Sequence, residues 1–205
     1  MMRLSEFLRE NSPWEEYVNH EFVKEMIEGT LPQKKFRYYL LQDAKYVEEM
    51  LRALLRASAL APLDKSLKLL HVILSSRDKG TEVNNYLYSR LGITQDEIRR
   101  TKMNDVNYAY TRHLNYWAER SWEFFLIAWT PCMWGYFEIG KKIVNSTNEL
   151  YKAWASFYSS DDYKKRVDII LENLNSIEVD KDLASDIFNR SVKYEIQFWD
   201  SALTI

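Results

Sequence analysis

At 205 residues the chain is long enough to bury a substantial core as one domain, without disulfides or metal staples. A formal net charge of -2, with no dense stripe of lysine and arginine, argues against binding to a nucleic-acid backbone. Only five glycines and four prolines punctuate a sequence rich in good helix formers, so the expected fold class is all-α, a single-domain helical bundle over residues 1–205. Fourteen tyrosines and seven tryptophans exceed what a minimal bundle needs, and aromatic walls suit a flat ligand as well as a core.

The N-terminus meets charged residues at Arg3 and Glu6, too early for a secretory signal. The strongest apolar run, Phe124 to Tyr136, is shorter than the roughly 20 residues of a membrane span and contains Pro131. The one cysteine has no partner within the chain, which suits a reducing compartment. Together these features predict a soluble, cytoplasmic protein with no membrane association.

Ser12-Pro13-Trp14-Glu15 reads as a capping box opening a helix through Trp14, Tyr17, Val18, Phe22 and Met26, which Gly29 ends. Thr30 is the expected cap of the next helix, with Pro32 in its first turn and Phe36, Tyr39, Leu40, Val47, Met50 and Leu54 along one face. Asp43 falls on that apolar face, seven residues after Phe36 and four before Val47, with Tyr46 beside it. A buried carboxylate needs donors from the protein or from a ligand, and satisfaction by the core is the common outcome.

From Asp64 to about Arg90 the spacing predicts a helix broken near Lys79-Gly80, in a stretch that carries no evident chemistry. Thr94 to Arg100 is a short capped turn. Asn104-Asp105 starts a helix bearing Tyr108, Tyr110, His113, Leu114 and Trp117. The central helix is expected from about Ser121 to Lys142, kinked by Pro131, with Cys132 at the kink and Tyr136 one turn on. A cysteine in such surroundings is usually inert, because burial raises its pKa and the thiolate is the nucleophile.

Asn148 to Ser159 forms a further helix with Tyr151, Trp154 and Tyr158 at helical spacing, and Ser160 starts the next. Asp180 caps the last helix, along which Phe188, Val192, Glu195, Phe198 and Trp199 form one stripe interrupted by a single acid. Asp43, Cys132 and Glu195 thus intrude into apolar faces of three helices far apart in the chain.

Ordered patches resemble the TenA family, also called thiaminase II or aminopyrimidine aminohydrolase. They are His20-Glu21-Phe22-Val23, Gly29-Thr30-Leu31-Pro32, Phe36 through Asp43, Ala109-Tyr110-Thr111, Pro131 through Tyr136, Trp154 through Tyr158, and Glu195 through Asp200. The resemblance implies a haem-oxygenase-like bundle without haem, assembled as a homotetramer, needing no cofactor and no metal. It implies that Cys132 is the nucleophile adding to a ring carbon of an aminopyrimidine, and that Glu195 is the acid protonating the leaving amine or a ring nitrogen. Asp43 would hold the exocyclic amine and the adjacent ring nitrogen. Tyr46 and Tyr110 would bond near the thiol, while Tyr136, Tyr158 and Phe198 would wall the ring, with Phe157 and Tyr163 close enough to share the place of Tyr158.

The expected reaction is hydrolysis of 4-amino-5-aminomethyl-2-methylpyrimidine to the hydroxymethyl pyrimidine and ammonia, in thiamine salvage, with thiamine as a second substrate. Many family members have a Pro-Thr pair and a proline where this chain has Met103-Asn104 and Glu21. Two rivals remain at this stage. A metal-dependent oxidase lacks support because none of His20, His71 and His113 follows a glutamate at three residues. A non-catalytic pyrimidine-binding or regulatory protein on the same fold would be marked by tight ligand binding without product.

Overall fold

A computed structural model describes residues 2–205 and contains twelve helices and no strand among them. In chain order they are α1 (Leu4–Glu10), α2 (Trp14–Val18), α3 (Glu21–Glu28), α4 (Gln33–Ser58), α5 (Leu63–Ser75) and α6 (Arg77–Leu91). The second half contains α7 (Gln95–Arg100), α8 (Asp105–Ala118), α9 (Trp122–Ile143), α10 (Glu149–Tyr158), α11 (Asp161–Asn175) and α12 (Lys181–Leu203). No helix among the described residues is long and apolar enough to cross a membrane.

The most apolar helix, α9, is the axis of the bundle. It is buried on nearly every side and packs against α2, α3, α4, α8, α10, α11 and α12. Trp129 of α9 itself and Trp14, Trp154 and Trp199 from its neighbours are fully buried, each a side chain whose truncation costs about 3–5 kcal/mol. The aromatic surplus therefore goes largely into this core. Phe22 stacks on Trp199 with centroids 4.8 Å apart, and Tyr136 stacks on the same indole at 5.7 Å.

Helix starts follow the expected side-chain caps at Thr94, Asn104, Ser121, Asn148, Ser160 and Asp180, whose oxygens each accept a backbone N–H of the first turn. Three boundaries differ. The Ser12 hydroxyl donates back to Arg9 O rather than capping, and the helix expected from Trp14 to Met26 is two, the second capped by the His20 ring. Pro32, not Thr30, stands at the start of α4, because the Thr30 and Leu31 amides turn back to Glu25 O beyond Gly29, whose φ is +76°. The break in the 64–90 stretch falls at Ser76, while Gly80 lies inside α6, where its missing side chain admits the Phe157 ring.

Helix α9 continues through Pro131, and hydroxyls from its own turn and from α2 and α12 attend its backbone there. Thr130 Oγ1 donates to Leu126 O at 2.6 Å, Ser191 Oγ to Ala128 O at 2.6 Å, and Tyr17 OH to Pro131 O at 3.1 Å. Gly135 allows that last contact: a Cβ there would lie 2.2 Å from the Tyr17 ring. The proline-bearing turn is thus fixed from two sides, and that turn carries Cys132.

Candidate active site

A cavity of about 320 Å³ opens between α4, α6, α9, α10 and α11, with Gln95 of α7 at its rim. That volume is at the low end of ligand pockets, ~300–1,000 Å³. Five of the eight sequence-predicted site residues line it: Asp43 and Tyr46 from α4, Cys132 and Tyr136 from α9, and Tyr158 from α10. Phe157 and Tyr163 line it as well, so the neighbours of Tyr158 share its wall.

The other three, Tyr110, Glu195 and Phe198, stand behind this lining. Tyr110 OH donates to Glu195 Oε1 at 2.7 Å, joining α8 to α12. The Tyr46 ring lies 5.1 Å from that of Tyr110 and 6.1 Å from that of Phe198. Glu195 is 2% exposed, and its Oε2 makes no hydrogen bond to a described residue.

The electrostatics follow from burial with few donors. Asp43 is 6% exposed, no described side chain or amide donates to its carboxylate, and burial alone pushes its pKa up to about 7. Burial likewise pushes Glu195 up to about 8; the Tyr110 hydrogen bond pulls it down, while the Asp43 charge pushes it further up. At neutral pH Glu195 is therefore mainly a carboxylic acid able to donate. Burial holds the Cys132 thiol well above its usual range, reinforced by the charge of Glu195 and opposed by Tyr46. The resting sulfur is a neutral thiol.

Tyr46 OH faces the thiol and the Tyr110 hydroxyl, yet it forms no hydrogen bond of standard length and angle. A buried hydroxyl without a partner, beside a carboxylate without donors, marks a place where a ligand would complete the hydrogen bonding. Tyr136 OH, by contrast, accepts from Tyr39 OH at 3.1 Å, and its ring packs 5.2 Å from Tyr158.

Sequence reasoning missed part of the lining. It also missed the support behind that lining, where Tyr39 OH donates to Tyr136 OH and Tyr17 OH to Pro131 O. Helix α6, which seemed chemically quiet, supplies Arg77, Thr81, Asn84 and Tyr88, and α11 supplies Arg166. Arg166 was detectable by the reasoning that singled out Asp43, since it sits three residues after Tyr163 and four before Ile170 on a buried face.

Among the described residues no three His, Cys, Asp or Glu side chains gather as a metal site. The polar groups of this cavity are hydroxyls, side-chain amides, two guanidinium groups, one thiol and one carboxyl, a set suited to binding a heterocycle and moving protons along its edge.

Comparison with known proteins agrees over the whole chain. The profile of the TENA/THI-4/PQQC family matches residues 9–204. The aminopyrimidine aminohydrolase of Halalkalibacterium halodurans is 30% identical, covering 92% of this chain and 89% of its own. That of Bacillus subtilis is also 30% identical, covering 92% and 84%. Among solved structures, a TenA-like protein from Sulfolobus solfataricus superposes with a TM-score of 0.91 at 50% identity, covering 98% of this chain and 93% of its own. The TenA homologue of Pyrococcus horikoshii gives 0.89 at 29% identity, covering 98% and 99%. By sequence and by fold, this chain belongs to the TENA/THI-4/PQQC family.

Proposed function

We propose that the protein is an aminopyrimidine aminohydrolase of thiamine salvage, converting 4-amino-5-aminomethyl-2-methylpyrimidine and water to the hydroxymethyl pyrimidine and ammonia, with thiamine as a second substrate. One observation carries the proposal. A thiol and two carboxyl groups, the latter held near neutrality by burial, meet in one interior where the Tyr46 hydroxyl lacks a partner and no donor reaches the Asp43 carboxylate.

An aminopyrimidine presents an exocyclic N–H beside a ring nitrogen. A carboxyl group with a pKa of about 7 matches that edge in either protonation state, accepting from the amine while sharing one proton with the ring nitrogen. Proton transfer to the ring makes its carbons more electrophilic. Cys132 Sγ then forms a bond to a ring carbon, its proton passing to the heterocycle, and Tyr46 OH donates to the developing thiolate.

Electron density returned from the ring breaks the bond between the exocyclic methylene and the amine, and Glu195 protonates the departing nitrogen to give ammonia. Water adds to the exposed methylene, returning a proton to Glu195, and loss of the sulfur restores the aromatic ring and the thiol. Tyr136 and Tyr158 flank the planar substrate and exclude bulk water.

Cytoplasmic residence and assembly as a homotetramer belong to the same proposal. Leu63, Leu67 and Leu74 stand 70%, 56% and 54% exposed at helical spacing on α5, an apolar face that a second copy would cover. Light scattering on the purified protein gives its mass. The activity is tested by following ammonia and hydroxymethyl pyrimidine from the aminomethyl substrate. Saturable binding without product would replace the enzyme by a pyrimidine-binding protein.

A further inference from the structure

The cavity has two chemically different ends. Asp43 and Tyr46 of α4 and Cys132 of α9 form one, while Arg77, Thr81 and Asn84 of α6 and Arg166 of α11 line the other. Asp43 is the only acid in the lining and Arg166 the only buried cation, at 8% exposed. Arg166 Nε donates to Ser76 Oγ at 2.7 Å and Nη2 to Ile73 O at 3.1 Å, so the protein fixes the guanidinium through neutral acceptors. Its Nη1 makes no hydrogen bond to a described residue, and Arg166 takes part in no ion pair. The nearby carboxylate of Asp162 is bound instead by Lys79 and Lys165.

Below the guanidinium lie the rings of Phe157 and Tyr163, with centroids 5.1 and 5.6 Å from its central carbon. These contacts hold its plane and offset part of its charge, but no carboxylate pairs with it directly. A buried cation without a counter-charge is costly to hold, and an anion entering the cavity would relieve that cost. Arg77, exposed at the rim and in no ion pair, adds a second positive charge on the same wall. Thr81 and Asn84, on the same helix as Arg77, add neutral donors to the lining.

Tyr163 bridges the two ends, since its hydroxyl is within electrostatic reach of both the Cys132 thiol and the Arg166 guanidinium. A ligand with its ring at Asp43 and Cys132 thus has a path past Tyr163 to the arginines.

We propose that this arginine-lined end is a subsite for a phosphate monoester carried on the leaving-group side of the aminopyrimidine. The enzyme then prefers substrates whose departing portion ends in phosphate over the same substrates without it. Two guanidinium groups match a dianion, and a planar fork with an open amino group suits phosphate oxygens. The inference rests on the Asp43 end holding the pyrimidine.

The test compares kcat/KM for thiamine monophosphate with that for thiamine, on the wild type and on Arg166→Gln, Arg166→Lys and Arg77→Ala. The wild-type ratio is expected at about tenfold or more, the usual worth of a charge-assisted hydrogen bond. Arg166→Gln should bring it close to one, Arg166→Lys should leave an intermediate value, and Arg77→Ala should lower it about threefold. Inorganic phosphate should inhibit the wild type more than Arg166→Gln. A wild-type ratio near one overturns the subsite, as does an Arg166→Gln protein that loses both substrates equally, because the arginine then only braces the α5–α6 junction. Should Arg166→Gln not fold, the wild-type and Arg77→Ala ratios decide. Turnover or binding of the phosphate-free aminomethyl pyrimidine is measured alongside: if it is absent, the proposed function fails, and if it is present without a phosphate preference, only the subsite fails.

Discussion

Gln42 and Asp43 are neighbours on α4, both buried, and their surroundings are opposite. Gln42 Nε2 donates to Lys102 O at 3.0 Å, and its Oε1 accepts from the Asn104 amide at 3.1 Å and from Asn107 Nδ2 at 3.0 Å. Asn104 continues to Tyr38 and Ser201, so this network ties α4 to α8 and α12. Asp43 has no donor among the described residues. The first is a buried polar group that the fold has satisfied, and the second is one left for something else. Asn107 Oδ1, which lacks a partner inside the satisfied network, shows that one orphaned atom alone does not mark a site. The convergence of Asp43, Tyr46 OH and Glu195 Oε2 around one thiol does.

The contrast can be broken most severely at the sulfur. Cys132→Ser is expected to lower kcat at least about a thousandfold while the aminopyrimidine still binds, measured by ammonia release and calorimetry on one preparation. Glu195→Gln should follow at roughly a hundred- to a thousandfold in kcat. Because Glu195 must carry its proton to donate it, wild-type kcat should fall as pH rises through about 8. A pH-independent kcat between 6 and 9 would remove the acid from the mechanism.

Asp43→Asn should separate function from stability. Its folded pKa of about 7 lies above the unfolded carboxylate value, so between roughly pH 4 and 7 the folded state binds more protons. Stability is therefore full below the unfolded pKa and declines as pH rises through the folded one. Asn at this position should flatten that decline and add roughly 2–4 kcal/mol at pH 8, read by denaturant titration, while kcat/KM falls. Gln42→Ala should do the reverse, losing about 1–3 kcal/mol at all pH values by removing the acceptor of the Asn104 amide and one of the two acceptors of Asn107 Nδ2, with a kcat close to wild type. The smallest change is Tyr110→Phe. Removing the donor that holds Glu195 down should move the alkaline limb of the pH profile upward, with a rate loss of about tenfold or less.

The sequence made the acids and the thiol visible because each interrupts an apolar face of a long helix, and periodicity locates such interruptions without tertiary knowledge. The side-chain caps at Asn104, Ser121 and Asp180 were visible for the same local reason. What stayed hidden depends on contacts between segments far apart. The break at Ser76 is secured by Arg166, ninety residues on, which no window around Lys79-Gly80 contains. Tyr17 reads as one more core aromatic until its hydroxyl is found on Pro131 O. The lining from α6 was missed because Arg77, Thr81 and Asn84 are polar residues on a mostly solvated helix, and only the bundle turns that face toward a cavity.

The buried, neutral state of Cys132 also bears on how the protein ages. Hydrogen peroxide and electrophilic metabolites attack thiolates, and a sulfur that is 6% exposed and holds its proton at neutral pH meets them slowly. The chain has no second cysteine to trap a sulfenic acid as an internal disulfide, so any oxidation that did occur would continue toward irreversible forms. Under the proposed mechanism, a sulfur kept protonated until a heterocycle arrives is also one that the bound substrate shields by filling the cavity.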